Sequence, residues 1–217
     1  MSSIEKMGEF FNKRANGYDE HMLGDESDLI YYRKIADPIK ETNQIISVLD
    51  LGIGTGIELE GIFNKAPNAL ITGIDMSEKM LEFLKTKYPE KVKQFSLQLG
   101  SYLTIPFAEN KYDYVISSMT LHHYTEDVKT DLYKKIRQAI KDGGVYIEGD
   151  YIVSKEDEKM LIKENYLKLK EVDNIDLYHI DIPFSIETQT RIFLNAGFTD
   201  IKVIFQKKNA AIFVAEK

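Results

Sequence analysis

The chain has 217 residues, 43% hydrophobic and 29% charged, enough to bury the core of one domain with at most a small appended subdomain. The absence of cysteine excludes disulfides, thiolate metal sites and a cysteine nucleophile. The formal net charge of −7 disfavours nucleic acids as partners, although Lys85 to Lys93 can form a local basic patch. The charged N terminus and the lack of a long apolar window lead us to expect a soluble cytoplasmic protein with no membrane partner.

Helices are predicted before the first strand. Apolar residues at helical spacing within residues 4–22 predict a short amphipathic helix, and Gly17 ends the pattern. Residues 29–40 predict a second helix, in which Pro38 can introduce a bend.

The most informative stretch is the turn after the first predicted strand. Residues 45–51 form an apolar run rich in β-branched side chains, which predicts a buried parallel strand. Gly52, Gly54 and Gly56 follow, and the missing Cβ atoms allow a sharp turn and the close approach of a ligand. A helix and a second strand come next. Asp75, at the end of that strand, can accept hydrogen bonds from both hydroxyls of a ribose lying over the turn.

The glycine spacing distinguishes two nucleotide-binding families. The nicotinamide fingerprint requires a glycine where this chain has Ile57, so that pattern fails. Asp50-Leu-Gly52-Ile-Gly54-Thr-Gly56 instead resembles D-x-G-x-G-x-G, the first motif of class I S-adenosylmethionine-dependent methyltransferases. The resemblance covers residues 45–150 in register, through the segments GIDMSEKML, IPF, YDYVISSMTLHHY and KDGGVYIEGD.

This resemblance implies a Rossmann-like α/β fold and S-adenosyl-L-methionine as the cofactor. The expected sheet has seven mostly parallel strands with an antiparallel terminal hairpin strand, and helices cover both faces. Tyr18 is a candidate cap over the cofactor or an ordinary packing residue, Met76 is expected along the adenine, and Ser101 replaces an acid that many relatives use to bind the adenine amino group. The complete candidate cofactor set is Tyr18, Asp50, Gly52, Gly54, Gly56, Asp75, Met76, Ser101, Tyr102 and Ser117.

The end of the fourth predicted strand, YDYVISSM, is the candidate acceptor site, because ligands collect beyond the carboxyl ends of parallel strands. His122 and His123 follow it, and a neutral imidazole there can take a proton from an attacking hydroxyl, phenol or amine. Packing beneath the pocket is the alternative role for either histidine. No metal site is expected, because sequence neighbours rarely point the same way and no carboxylate cluster has matching spacing. The loop also lacks the Pro-Pro-Tyr element of enzymes that methylate exocyclic base amines or glutamine.

The C-terminal third predicts a lid and a hairpin. Residues 126–141 predict a helix that Gly143 and Gly144 end, and residues 155–172 predict a charged helix inside an insertion at about 154–184. In the resembled fold such an insertion covers the acceptor pocket, whose candidate wall residues are Tyr151, Tyr166, Tyr178 and His179. A last helix capped by Ser185 and a terminal hairpin complete the chain. We divide it into an N-terminal helical cap, 1–44, and a methyltransferase core, 45–217.

The resemblance implies an enzyme that transfers a methyl group to an oxygen, nitrogen or carbon atom of a small molecule. The sulfonium already activates the methyl group, so the protein mainly supplies alignment and a water-poor pocket. Three alternatives stay open: a carboxy-S-adenosylmethionine synthase or tRNA-modifying enzyme, a nicotinamide-dependent reductase, and a non-catalytic S-adenosylmethionine-binding module. The lid arginine of the synthases is missing between Lys155 and Ser185. The acceptor is not identified, and a homodimer is one of the assemblies left open.

Overall fold

A mixed seven-stranded sheet forms the centre of the computed structural model, which describes residues 5–170 and 178–217. The strands are β1 (Ser47–Leu51), β2 (Leu70–Asp75), β3 (Phe95–Leu99), β4 (Tyr112–Ser118), β5 (Ile140–Tyr151), β6 (Asp200–Lys207) and β7 (Ala210–Glu216). Their spatial order is β3-β2-β1-β4-β5-β7-β6. Strands β1 to β5 pair in parallel, whereas β7 runs antiparallel to both β5 and β6. The predicted fold class, including the antiparallel terminal hairpin, is confirmed.

Helices cover both faces of this sheet. Within the described residues they are α1 (Met7–Arg14), α2 (Tyr18–Met22), α3 (Glu26–Ile35), α4 (Leu59–Lys65), α5 (Glu78–Lys87), α6 (Glu126–Ala139), α7 (Lys155–Lys170) and α8 (Ile186–Asn195), together with a 3₁₀ helix at Pro89–Gln94. The hydrophobic residues of α3, α4 and α5 pack on one face, and those of α6 and α8 pack on the other. No helix in this part of the chain combines the length and apolar character needed to cross a membrane.

The central strands are buried on both faces, which explains their nearly continuous apolar sequence. In β5, for example, Tyr146 packs in the layer beneath α6 and α8, and the next residue, Ile147, packs in the layer beneath α3 and α4. Both side chains are fully buried. Because strand side chains alternate between faces, consecutive apolar residues indicate a strand covered on both sides.

Two predicted helix boundaries are wrong. The helix predicted within residues 4–22 ends at Arg14, before Gly17 as expected, and a second short helix, α2, follows this glycine, whose φ of 76° is left-handed. The helix predicted for 29–40 begins earlier and ends at Ile35, before Pro38. The helix predicted for 126–141 ends at Ala139, because Ile140 already pairs with Tyr112 in the sheet, so the glycines after it lie within β5. The last part of the helix predicted for 155–172 lies outside the described residues.

A buried polar network joins α6 and α8 to the sheet. Lys129 on α6 donates to Glu148 Oε1 on β5 at 3.1 Å and to Gln189 Oε1 on α8 at 2.7 Å. The hydroxyls of Tyr133 and Tyr146 donate to the other oxygen of Glu148. The Lys129 and Glu148 side chains are 2% and 0% exposed, so neither charge can be solvated if its partner is removed.

Breaking this ion pair is therefore expected to destabilise the fold. We expect Lys129→Met to lower the free energy of unfolding by about 3–5 kcal/mol, since it leaves Glu148 buried without its cation. Lys134→Met is the matched control, because Lys134 lies on the same helix with an exposed side chain, and its effect should stay within about 0.5 kcal/mol. Urea unfolding followed by circular dichroism measures both values. Equal stabilities of the two variants would contradict the structural role given to Lys129.

Candidate functional site

The turn between β1 and α4 has a left-handed backbone at all three of its glycines. The φ angles are 70° at Gly52, 51° at Gly54 and 68° at Gly56, a region that side chains with a Cβ rarely adopt. A Cβ on Gly52 would also lie 2.3 Å from Thr120 Oγ1. The backbone N–H of Gly52 donates to Ile74 O on β2 at 2.8 Å, which fixes the turn to the neighbouring strand.

Asp75 stands at the end of β2 and faces this turn. Its Oδ2 accepts a hydrogen bond from Gly54 N at 2.8 Å, and its Oδ1 accepts one from Ser77 N at 2.7 Å. Burial raises the pKa of Asp75 to about 6, although these backbone hydrogen bonds act in the opposite direction. Each carboxylate oxygen keeps a further lone pair, which can accept from a ligand hydroxyl.

A first cavity lies between the glycine turn, Asp75 and the N-terminal helices. Its wall is formed by Met7, Phe11, Tyr18, Gly52, Gly54, Asp75, Met76, Met80, Tyr102, Ser118, Met119, Thr120 and Tyr124. Six of the ten residues predicted from the sequence to bind the cofactor are among them: Tyr18, Gly52, Gly54, Asp75, Met76 and Tyr102. The structure therefore brings together residues from α2, from the ends of β1 and β2, and from the loop after β3.

The other predicted residues do not line this cavity. Ser117 points into the core, where its hydroxyl lies 2.8 Å from that of Tyr146, and the neighbouring Ser118 lines the cavity instead. Side-chain alternation along β4 explains this one-residue difference. Ser101 Oγ accepts a hydrogen bond from Leu103 N at 3.2 Å and so supports its own loop.

Asp50 and Gly56 lie behind the cavity wall. The Asp50 carboxyl lies close to that of Glu58, a residue that sequence reasoning missed, and both are almost completely buried. Burial raises the pKa of both carboxyls, that of Glu58 to about 7. Two adjacent buried carboxyls are most stable when they share a proton, because two charges there would repel each other without solvent screening.

A second cavity of about 500 Å³ adjoins the first. It shares Phe11, Tyr18 and Met119 with the first cavity, so the two spaces meet at a common wall. Its other wall residues are Phe10, Lys13, Arg14, Asn16, Gly17, His21, Met22, His122, His123, Tyr151, His179 and Asp181. Of the pocket-wall candidates from the sequence, Tyr151 and His179 line it and Tyr178 does not, while the side chain of Tyr166 lies outside the described residues.

The two predicted catalytic histidines both face this second cavity. His122 Nδ1 lies 2.6 Å from Asp150 Oδ1, which leaves its Nε2 on the cavity side. Although burial opposes ionisation of Asp150, the charge and hydrogen bond of His122 keep the pKa of that carboxyl below its usual value. His123 is 1% exposed, and burial, followed by the neighbouring His122, lowers the pKa of its imidazole to about 4. His123 is therefore neutral at pH 7.

Adjacent histidines were expected to point apart, and that expectation is wrong. The ring centroids of His122 and His123 are 4.0 Å apart, because residues 121–124 form a tight turn closed by a 3.2 Å bond from Tyr124 N to Leu121 O. Asp181, which sequence reasoning also missed, places Oδ1 3.1 Å from His123 Nδ1. Its pKa is lowered to about 2, chiefly by the adjacent His123. The signal available in the sequence was the pair His179-Ile-Asp181 in the lid region.

The glycine turn lies in the part of the chain that matches a known family model. A family model described as a methyltransferase domain matches residues 48–144, the segment from β1 through the start of β5. Over these residues the chain is similar to methyltransferases. SAM is the ligand named in two solved structures of the same fold. The site here suits such a ligand at Gly54, where an added Cβ would have no neighbour nearer than 3.8 Å, and at Asp75, whose carboxylate can accept from a ribose.

Curated relatives of this chain carry two different names. The carboxy-S-adenosyl-L-methionine synthase of Campylobacter fetus is 29% identical, covering 94% of this chain and 96% of its own. An uncharacterized methyltransferase of Bacillus cereus is also 29% identical, covering 95% and 94%.

Solved structures show the same fold at low identity. The complex of DhpI with SAH has a TM-score of 0.70 at 15% identity, covering 96% of this chain and 93% of that one. Human N-acetylserotonin methyltransferase in complex with SAM has a TM-score of 0.67 at 17% identity, and the match spans 95% of this chain but only 55% of the human chain.

Removing the Asp75 carboxylate should weaken cofactor binding. We expect Asp75→Ala to raise the Kd for S-adenosylmethionine by about tenfold or more, because charge-assisted hydrogen bonds contribute ~1.5–3 kcal/mol. Titration calorimetry measures the affinity, and Asp75→Asn separates loss of charge from loss of the turn's backbone hydrogen bonds. Glu78→Ala, which removes an exposed carboxylate three residues away, serves as the control. Unchanged affinity in Asp75→Ala would remove this residue from the site.

The Asp50–Glu58 pair should make the ligand-free protein less stable as pH rises. A carboxyl whose pKa is raised on folding holds its proton in the native state, so stability falls between the usual pKa of Glu and the native value of about 7. We expect the free energy of unfolding to fall by about 2 kcal/mol from about pH 5 to about pH 7, and Glu58→Gln to reduce that slope. Glu60→Gln, at an exposed position on the same helix, should leave it unchanged. Identical pH profiles for wild type and Glu58→Gln would contradict the shared proton.

Proposed function

We propose that this enzyme transfers the methyl group of S-adenosylmethionine to an oxygen or nitrogen atom of a small molecule bound in the second cavity. The observation that carries the proposal is the common wall of Phe11, Tyr18 and Met119 between the two cavities. In-line methyl transfer requires donor and acceptor to meet at such a boundary, with water excluded. A volume of about 500 Å³ is within the range typical of small-molecule sites.

The wall chemistry favours an acceptor with an apolar ring and an acidic group. Phe10, Phe11 and Tyr151 supply aromatic surface, and the cations of Lys13 and Arg14 lie at the same cavity. Both cations approach Glu5, Lys13 at 3.4 Å and Arg14 at 3.8 Å, distances that leave them able to bind a second carboxylate. A planar guanidinium is well suited to that task.

His122 and His123 present the polar part of the cavity to the acceptor. The cofactor supplies an electrophilic methyl group, so the protein's own residues have to orient the acceptor atom and stabilise its deprotonated form. Asp150 orients His122, and Leu121 N donates to Asp150 Oδ2 at 3.0 Å, which fixes the carboxylate in turn. These contacts support a catalytic role for the histidine pair.

A second candidate is synthesis of carboxy-S-adenosylmethionine. It is favoured by the full-length similarity to the Campylobacter synthases and by Arg14, which can bind the additional carboxylate from the N-terminal side. In this reaction the methyl group of the cofactor would lose a proton and gain a carboxylate from a separate carboxylate donor, and no acceptor is methylated.

Product analysis distinguishes these functions. The enzyme is incubated with S-adenosylmethionine labelled in its methyl group and with panels of aromatic acids, phenols, amines and bulk tRNA, and products are identified by mass spectrometry. We expect S-adenosylhomocysteine together with a labelled small molecule, and loss of both in His122→Ala with cofactor affinity retained. A carboxylated sulfonium nucleoside would favour the second candidate, and labelled tRNA would contradict the small-molecule assignment. Cofactor binding without any product from these panels or from a cell extract would contradict both.

A further inference from the structure

Three of the four histidines in the chain gather around one carboxylate oxygen at the second cavity. Asp181 Oδ1 lies 3.1 Å from His123 Nδ1, 3.8 Å from His122 Nε2 and 3.9 Å from His179 Nε2. The ligand atoms of His122, His123 and Asp181 all lie within 4.8 Å of one another. Methyl transfer by alignment alone does not require this convergence of imidazoles.

Two of the three rings, those of His122 and His179, are held in their orientation by separate contacts. Asp150 occupies Nδ1 of His122, so only Nε2 is directed at the cluster. A carboxylate bonded to the far nitrogen of an imidazole is the usual arrangement behind a metal-binding histidine. His179 stacks on Phe10 with ring centroids 3.5 Å apart, and its backbone N–H donates to Glu5 O at 3.0 Å.

His123 is the least satisfied member of the cluster. Its ring is almost completely buried, yet neither nitrogen has a hydrogen bond of good geometry, although Nδ1 lies close to Asp181. Buried polar atoms are normally paired, so an unsatisfied imidazole facing a cavity requires an explanation. A bound cation would satisfy it.

We propose that His122 Nε2, His123 Nδ1 and Asp181 bind a divalent metal ion of the Zn²⁺ type. Two imidazoles and one carboxylate form a donor set that suits zinc and similar first-row ions better than Mg²⁺ or Ca²⁺, which prefer oxygen ligands. Zinc bonds of about 2.0–2.2 Å place ligand atoms roughly 3.3 Å apart. The 3.1 Å between His123 and Asp181 is near that value, whereas the widest separation, within 4.8 Å, has to close by up to about 1.5 Å on metal binding. The Asp181 side chain is 60% exposed and has room to move.

Such a site would have an open position towards the acceptor. His122, His123 and Asp181 fill three positions of a four-coordinate site, so the fourth position faces the cavity lined by Phe10, Phe11 and Tyr151, with His179 beside the Asp181 oxygen. A metal ion there would polarise an oxygen or nitrogen bound to it and favour its deprotonated form. Binding of the metal does not depend on which acceptor the enzyme uses.

Metal titration tests the proposal without any turnover assay. The full-length protein is treated with chelator, dialysed, and titrated with Zn²⁺ by calorimetry and with Co²⁺ by visible absorption, which reports nitrogen and oxygen coordination. We expect saturable binding of a single ion. His123→Ala and Asp181→Asn should each weaken it by about tenfold or more, and His179→Ala should weaken it less. His21→Ala, which removes the remaining histidine at the same cavity wall, should leave the affinity unchanged.

Specific outcomes would overturn the site. These are the absence of a Co²⁺ absorption band at saturating metal, a Zn²⁺ affinity that His123→Ala and Asp181→Asn do not alter, or an equal loss in His21→Ala. Circular dichroism and S-adenosylhomocysteine binding check that each variant is folded. If His123→Ala is unfolded, Asp181→Asn decides the matter, because Asp181 is largely exposed. If the metal site is overturned, the histidines and Asp181 form a polar cluster that holds the lid segment against the core.

Discussion

The functional end of the sheet depends on one carboxylate, that of Asp75, which ties two loops together. It accepts from Gly54 N in the turn after β1 and from Ser77 N at the start of α5. These bonds hold the left-handed glycines in place against the end of β2, and the same oxygens face the cofactor cavity. The positions of the second cavity and the histidine pair follow from this arrangement, because β4 pairs directly with β1.

Buried acids accumulate along the central strands, and the structure stabilises them in three different ways. Burial beside Glu58 raises the pKa of Asp50 and favours its neutral form, Glu148 pairs with Lys129, and Asp150 pairs with His122. Each solution avoids leaving an unpaired charge in a medium of low dielectric constant. Only the third one faces a ligand cavity. The first two stabilise the framework on which the sites are built, so loss of either should affect stability before it affects chemistry.

Local sequence was sufficient for the parts of the site that depend on backbone geometry. Gly52, Gly54 and Asp75 were predictable because turn chemistry and strand ends are local properties, and the fold class was implied by the family resemblance. The paired side chains Glu58 and Asp181 were not predictable, because their roles depend on contacts across the fold. Ser117 was predicted in place of Ser118, because an apolar run does not show which of two consecutive strand residues points towards the cavity. The convergence of His122 and His123 required the turn geometry itself.

Helix α1 links the two ligand spaces mechanically. It contributes Met7 to the first cavity, Phe10 to the second and Phe11 to both. Its N-terminal flank is joined to the lid by the bridge between Lys6 and Tyr178 and by the bond from His179 N to Glu5 O, and Phe10 stacks on His179. A rigid helix with side chains in both cavities cannot move away from one cavity and keep its contacts with the other. The nucleoside left after transfer and the methylated product would therefore leave through the same movement of α1. That movement, and not the methyl transfer, can be the slowest step of the catalytic cycle.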